Sequence, residues 1–174
     1  NKILTTGGGG AVLTDDAELA ARARHLTTTA KRPHLWAFDH DEVAWNHRLP
    51  NINAALGVAQ LAQLPDRLAR KRRLAARYLE EFDGLEGAAI FEEPAGMRSN
   101  YWLNTLLLAR DRAAERDTVL AALNDAGIQA RPAWTPMHRL PMYAGNPRGE
   151  LTVAEGLEAR IVNLPSSAGL VSNA

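Results

Sequence analysis

The run from Asn51 to Phe82 constrains this chain more than any other stretch: Ile52, Leu56 and Ala59, then Leu61, Leu64 and Leu68, recur three or four residues apart. That period predicts helix, with Pro65 kinking or restarting the run and Asp83-Gly84 ending it. The second stretch carries Arg67, Arg70, Lys71, Arg72, Arg73 and Arg77. No aromatic stacking residues are interleaved through them, so they are expected to form a solvated helix face and not a nucleic-acid patch.

The segments on either side are of a different kind. Residues 1 to 14 read as extended pieces flanking Gly7 to Gly10, a tight turn whose plainest reading is a hairpin. Asp15 followed by Glu18 three residues on resembles a capping box, and Leu19, Ala23 and Leu26 continue at helical spacing, which predicts a helix from about 16 to 30. Residues 31 to 50 lack a period and hold Pro33, Trp36, Phe38, Trp45 and Pro50, so an ordered, irregular loop is expected. Beyond Gly84, strands are expected over Ala88 to Glu92, Asn100 to Ala109 and Ile128 to Trp134. Helices are expected over Thr118 to Ala126, closed by Gly127, and over Val153 to Val162. This order is α/β or α+β.

Composition closes several doors. Twenty basic residues balance twenty acidic ones, which removes any whole-chain bias towards nucleic acid or an acidic membrane surface. Cysteine is absent, so disulfides and thiolate metal ligands are out, and a reducing cytoplasm fits. No apolar run approaches the roughly 20 residues of a spanning helix. Asp39, His40 and Asp41 point in different directions on an extended chain and have no partner cluster in the sequence, so no metal site is expected. The apolar, β-branched opening and the ending without a stop signal read as those of a piece of a longer protein.

The glycine run does not make a nucleotide-triphosphate loop, because Ala11-Val12 follows where Gly-Lys-Ser or Gly-Lys-Thr is needed. Its neighbour Lys2 would alone be read as a surface lysine. Together, however, Asn1-Lys2-Ile3-Leu4-Thr5-Thr6 with Gly7 to Gly10 and the strand-like Ala11-Val12-Leu13-Thr14-Asp15-Asp16 resemble the cofactor-lysine segment of the DegT/StrS family of sugar aminotransferases. Trp45-Asn46-His47-Arg48-Leu49-Pro50 and the helix after it resemble that family's Gly-Tyr-Asn-Tyr-Arg-Met block, with Ala44-Trp45 in place of Gly-Tyr and His47 in place of an aromatic. Asn100 to Asn104, Arg131 to His138, Leu140 to Tyr143 and Asn163 to Ser167 resemble small-domain segments of one branch. That branch aminates the C4 ketone of UDP-linked acetamido sugars on routes to bacillosamine and legionaminic acid.

The resemblance implies an α/β, fold-type I aminotransferase that uses pyridoxal 5'-phosphate. Residues 1–50 would be the end of the large cofactor-binding domain, and residues 51–174 a connecting helix with the α+β C-terminal small domain. Lys2 is then the catalytic lysine, tethering the cofactor as an imine and serving as base and acid in turn, which requires an unprotonated amine favoured by burial. Asn46 is implied as a donor to the cofactor phosphate of a neighbouring subunit, and Arg48 as a partner for the substrate diphosphate. Trp134 and His138 are implied as walls of the nucleotide-sugar pocket. Glutamate is the implied amino donor, and a homodimer with shared sites the implied assembly. The family's aspartate for the pyridine nitrogen, its stacking aromatic and the serine before the lysine would lie upstream of Asn1. Two alternatives stay open: a cofactor-dependent sugar dehydratase of the same family, in which histidine replaces the lysine, and a non-catalytic dimerisation fragment.

Overall fold

Residues 2–171 are described by a computed structural model, in which they divide into two units: residues 4–64, and residues 65–171 together with 2–3.

In the first unit, helix α1 spans Ala17–Thr27 and helix α2 Asn51–Ala62. The N-cap of α1 is Asp16 and not Asp15. Its backbone is extended, and its carboxylate accepts the Glu18 and Leu19 N–H groups at 2.9 and 3.0 Å, so Glu18 stands one place too early to close a capping box. The loop after α1 folds back on the helix end. Trp45 N–H donates to Leu26 O at 2.9 Å, His47 N–H to Thr27 O at 2.9 Å, and isolated bridges join Thr28 to Asn46 and Lys31 to His40. Side chains reinforce it: Arg22 grips Glu42, while His25 meets Asp41 at 2.7 Å. These contacts hold the Glu42 and Asp41 carboxyls below the usual carboxylate range, the first through the Arg22 hydrogen bond and the second through His25. The expected irregular, ordered loop is found.

The expected hairpin around Gly7 to Gly10 is not, because residues 2–14 form no strand ladder. The turn packs on α2 instead. Asn53 donates to Thr6 O, Thr5 N–H donates to Gln60 Oε1 at 3.2 Å, and a Cβ at Gly57 would stand 3.0 Å from the Thr6 methyl. Gly9 is needed twice over: its φ is +129°, and a Cβ there would meet Leu49 Cδ1 at 2.6 Å.

In the second unit, helix α3 (Leu64–Glu81) precedes strands β1 (Ala88–Ile90) and β2 (Asn104–Leu108), helix α4 (Arg116–Asp125), strand β3 (Arg131–Pro132), helix α5 (Thr152–Glu158) and strand β4 (Ile161–Leu164). The sheet is antiparallel throughout in the order β1-β2-β4-β3, with Leu106 opposite both Ile90 and Val162. Gly127, at φ +80°, ends α4 as its sequence position predicts. The core lies on one face of the sheet: Ile90, Leu106, Leu108, Ala130, Val162 and Leu164 are buried against Tyr78 and Leu79 of α3, Phe82 just beyond it, and Val119, Leu120 and Leu123 of α4. Full burial of one such side chain stabilises by about 1.5–3 kcal/mol.

The helix predicted over Val153 to Val162 stops at Glu158, and Ile161 to Val162 open the strand β4, paired on one side with β2 and on the other with β3. The strand predicted over Ile128 to Trp134 contracts to Arg131–Pro132, with Pro132 opposite Val162.

Candidate functional site

Lys2 is exposed, and its Nζ sits 4.0 Å from the ring centroid of Trp102. Among the described residues no carboxylate pairs with it. The Trp102 ring in turn stacks on Trp134, with centroids 5.8 Å apart and planes inclined by 20°. An ammonium on the face of an indole is a favourable contact that places no anion beside the nitrogen. The expectation of a buried Lys2 is therefore not met in this structure. What replaces burial is an aromatic wall.

How Trp102 comes to stand there is a matter of backbone. Tyr101 has φ +44°, a left-handed conformation that costs an ordinary residue about 1–2 kcal/mol, and its side chain is buried. The turn is held by its own side chains. Tyr101 N–H donates to Ser99 Oγ at 3.0 Å and Trp102 N–H to Asn100 Oδ1 at 2.9 Å. From α3, Arg72 reaches across to Ser99 O at 2.8 Å and to both oxygens of Glu93, which also accepts the Ser99 N–H. That guanidinium, with the Ser99 amide, lowers the Glu93 carboxyl from 4.5 to about 2.

Behind the turn lies a buried polar knot. Lys71 is only 4% exposed, and its Nζ donates to Trp102 O at 3.2 Å and to Ser166 O. Burial pushes its ammonium below the ordinary lysine range. Ser166 Oγ accepts the Asn104 N–H and donates to Leu164 O at 2.8 Å, while Asn104 Oδ1 is buried without a protein partner. The solvated face expected on α3 is thus partly overturned: Arg73 and Arg77 are not enclosed, but Lys71 is, Arg72 is clamped to Glu93, and Arg67 donates to Ile3 O at 2.9 Å. Sequence reasoning missed Lys71. A signal was present, since it shares a helical stripe with Leu74, Ala75 and Tyr78 at spacings of three, four and seven.

The remaining predicted residues stand as follows. Trp134 is 68% exposed beyond its stack with Trp102. His138 Nε2 meets Glu155 Oε1 at 2.7 Å, and the side chain lines a cavity of about 490 Å³ with Met137, Tyr143 and Arg148. Asn46 and Arg48, in the other unit, are exposed, and neither side chain has a hydrogen bond among the described residues. His25, Asp41 and Glu42 bring three possible ligand atoms within 4.8 Å of one another, but Arg22 and His25 already engage the carboxylates, which makes the trio an ion-pair network. No described helix is long and apolar enough to cross a membrane.

Comparison with known proteins covers the whole chain. Residues 1–174 match the family described as the DegT/DnrJ/EryC1/StrS aminotransferase family. EpsN of Bacillus subtilis, named as a putative pyridoxal phosphate-dependent aminotransferase, is 34% identical over 99% of this chain and 45% of its own length. GDP-perosamine synthase of Caulobacter vibrioides is 35% identical over 98% of this chain and 46% of its own. The crystal structure of the aminotransferase TlmJ from Streptoalloteichus hindustanus superposes with a TM-score of 0.87 at 29% identity, covering 98% of this chain and 46% of that one. The chain therefore spans just under half the length of the proteins it matches.

Proposed function

Because the chain belongs to the DegT/DnrJ/EryC1/StrS aminotransferase family, we propose that it is the C-terminal part of an enzyme that transfers an amino group from glutamate to the C4 ketone of a nucleotide-linked sugar, with pyridoxal phosphate as cofactor. The observation that carries this reading is the Lys2 amine, held on the face of Trp102 with no carboxylate partner among the described residues. A nucleophilic amine must be able to shed its proton and leave its resting contact, and a surface cation–π contact of about 0.5–1 kcal/mol opposes that only weakly. The residues present therefore fit the cofactor. When bound, pyridoxal phosphate supplies an aldehyde for an amine and an electron sink for the carbon that loses its proton.

The chain's own residues divide the remaining work. Lys2 Nζ would tether the cofactor and, when free, would be the general base that removes the proton from the donor's α-carbon and, as the ammonium, the acid that delivers one to the sugar C4. Asn46 donates its amide to the cofactor phosphate of the neighbouring subunit, and Arg48 offers a planar guanidinium to the substrate diphosphate. Their freedom from internal hydrogen bonds among the described residues supports both roles. Trp134 and His138 wall the sugar-nucleotide pocket, His138 being oriented by Glu155. On this reading residues 1–50 end the large cofactor-binding domain and residues 51–174 form the connecting helix and small domain of a cytoplasmic homodimer with shared sites. Lys2 itself argues against the dehydratase alternative.

The nucleotide is assigned as UDP, with an acetamido 4-keto-6-deoxy sugar, on the branch motifs over Asn100 to Asn104 and Arg131 to Tyr143. A second reading, a GDP-linked sugar, is favoured by the 35% identity with GDP-perosamine synthase. In the full-length protein, kcat/KM for UDP-, GDP- and dTDP-linked 4-keto sugars with glutamate separates them, the UDP sugar being expected about tenfold to a hundredfold ahead. A GDP sugar turned over best moves the assignment to the second reading. Borohydride reduction in the presence of pyridoxal phosphate, followed by peptide mapping, is expected to label Lys2; a label on Lys31 or Lys71 overturns the aminotransferase role given to Lys2.

A further inference from the structure

Lys71 is the one lysine buried in the described structure, and the chemistry above makes no use of it. It sits on α3 with its ammonium donating to two backbone carbonyls, Trp102 O and Ser166 O, and no carboxylate pairs with it among the described residues. A buried charge is costly to place, and an apolar residue would fill the Leu74, Ala75 and Tyr78 stripe without that cost. The backbone it grips is itself unusual. Tyr101 holds a left-handed conformation as a non-glycine residue, and the Arg72–Glu93–Ser99 clamp fixes the chain just before it. A charge and a strained residue thus converge on the peptide of Trp102, whose ring faces the Lys2 amine.

We propose that Lys71 is a positioning residue: by anchoring Trp102 O to the sheet end at Ser166, it sets the Trp102 ring, backed by Trp134, over the Lys2 amine. Trp102 is then a determinant of how Lys2 is presented, and it acts by covering the nitrogen. This inference rests on the reading of Lys2 as the cofactor lysine, but its test needs no cofactor.

The chain holds three lysines, and Lys31, which lies over Phe38 at 4.0 Å in the other unit, is an internal standard of the same contact type. In the full-length protein freed of cofactor with hydroxylamine, limiting acetylation by N-hydroxysuccinimidyl acetate is followed by peptide mapping of Lys2 and Lys31. Trp102→Leu is expected to raise the Lys2 to Lys31 labelling ratio about two- to fivefold, the factor a surface cation–π contact represents, while Trp102→Phe, which keeps a ring, leaves it near the wild-type value. Lys71→Met, far from Lys2 in sequence, is expected to raise the same ratio to the same extent and to abolish the exciton couplet of the Trp102–Trp134 stack in circular dichroism. If Lys71→Met does not fold, Lys71→Gln, one bond too short to reach both carbonyls, is expected to give the same rise. An unchanged ratio in Trp102→Leu overturns the covering of Lys2. An unchanged ratio and couplet in a folded Lys71 variant overturn the positioning role. Either failure leaves the borohydride result untouched, and a borohydride label away from Lys2 leaves these ratios untouched.

Discussion

The clamp on Glu93 makes the sharpest quantitative prediction. Its carboxylate accepts two N–H groups of Arg72 and one from Ser99, and these partners hold it near 2 where an unperturbed glutamate lies at 4.5. In Arg72→Met two of the three donors and the adjacent positive charge are gone, leaving the Ser99 amide and the more distant Arg98, so the midpoint is expected to move back up towards 4.5. The sign for stability follows. A carboxyl whose folded pKa is depressed contributes stability that is fully present above 4.5 and is lost as pH falls towards about 2. Arg72→Met therefore loses most of the acid-labile stabilisation of this turn before the titration begins, and its unfolding curve is flatter than that of the parent between pH 5 and pH 3. Carbon-detected titration of the glutamate Cδ signals, with Glu93 assigned through Glu93→Gln, reads the midpoint directly. A parent midpoint at or above about 4, or one that Arg72→Met fails to move, refutes the reasoning and releases the turn that carries Trp102.

Val162 has no exposed surface, and Val162→Ala removes two carbons from the central strand: about 1.6 kcal/mol of transfer plus a cavity contribution, together about 2–3 kcal/mol. Calorimetry of the intact protein is expected to show a midpoint lowered by roughly 2–4 °C, and a change under about 1 °C contradicts the placement of the core. Burial lowers the Lys71 ammonium below its ordinary 10.5, so the folded state sheds that proton first and the parent gains stability relative to Lys71→Met as pH rises towards 10.5. Parallel stability curves for the two proteins from pH 8 to 10.5 refute it.

Helix signals in the sequence were dependable wherever the apolar period ran long. The break at Pro65 is found as α2 ending at Ala62 and α3 starting at Leu64. Strand β4 was illegible for a physical reason: Val153, Leu157 and Ile161 keep the helical spacing, and only pairing with β2 and β3 decides that Ile161 to Leu164 extend. Gly7 and Gly9 have the positive φ that a turn predicts, yet no hairpin forms, because Val12 and Leu13 lie exposed and pair with nothing described. Of the candidate site, the sequence singles out some members and hides others. Motif order singled out Lys2 and Trp134, and the stack of Trp134 on Trp102 beside Lys2 joins them. Lys71 was hidden in a run of arginines, since charge composition does not say which member of a basic run turns inward.

The three lysines stand outside the described ion pairs. Every ion pair among the described residues takes its cation from arginine or histidine, while the amines rest on an indole, on a phenyl ring and on two carbonyls. Guanidinium does not titrate in the range where proteins work. The electrostatic frame is therefore built in guanidinium and imidazole nitrogen, and the amines stand apart from it, so a substitution at Lys2 leaves every described carboxylate with its counter-ion.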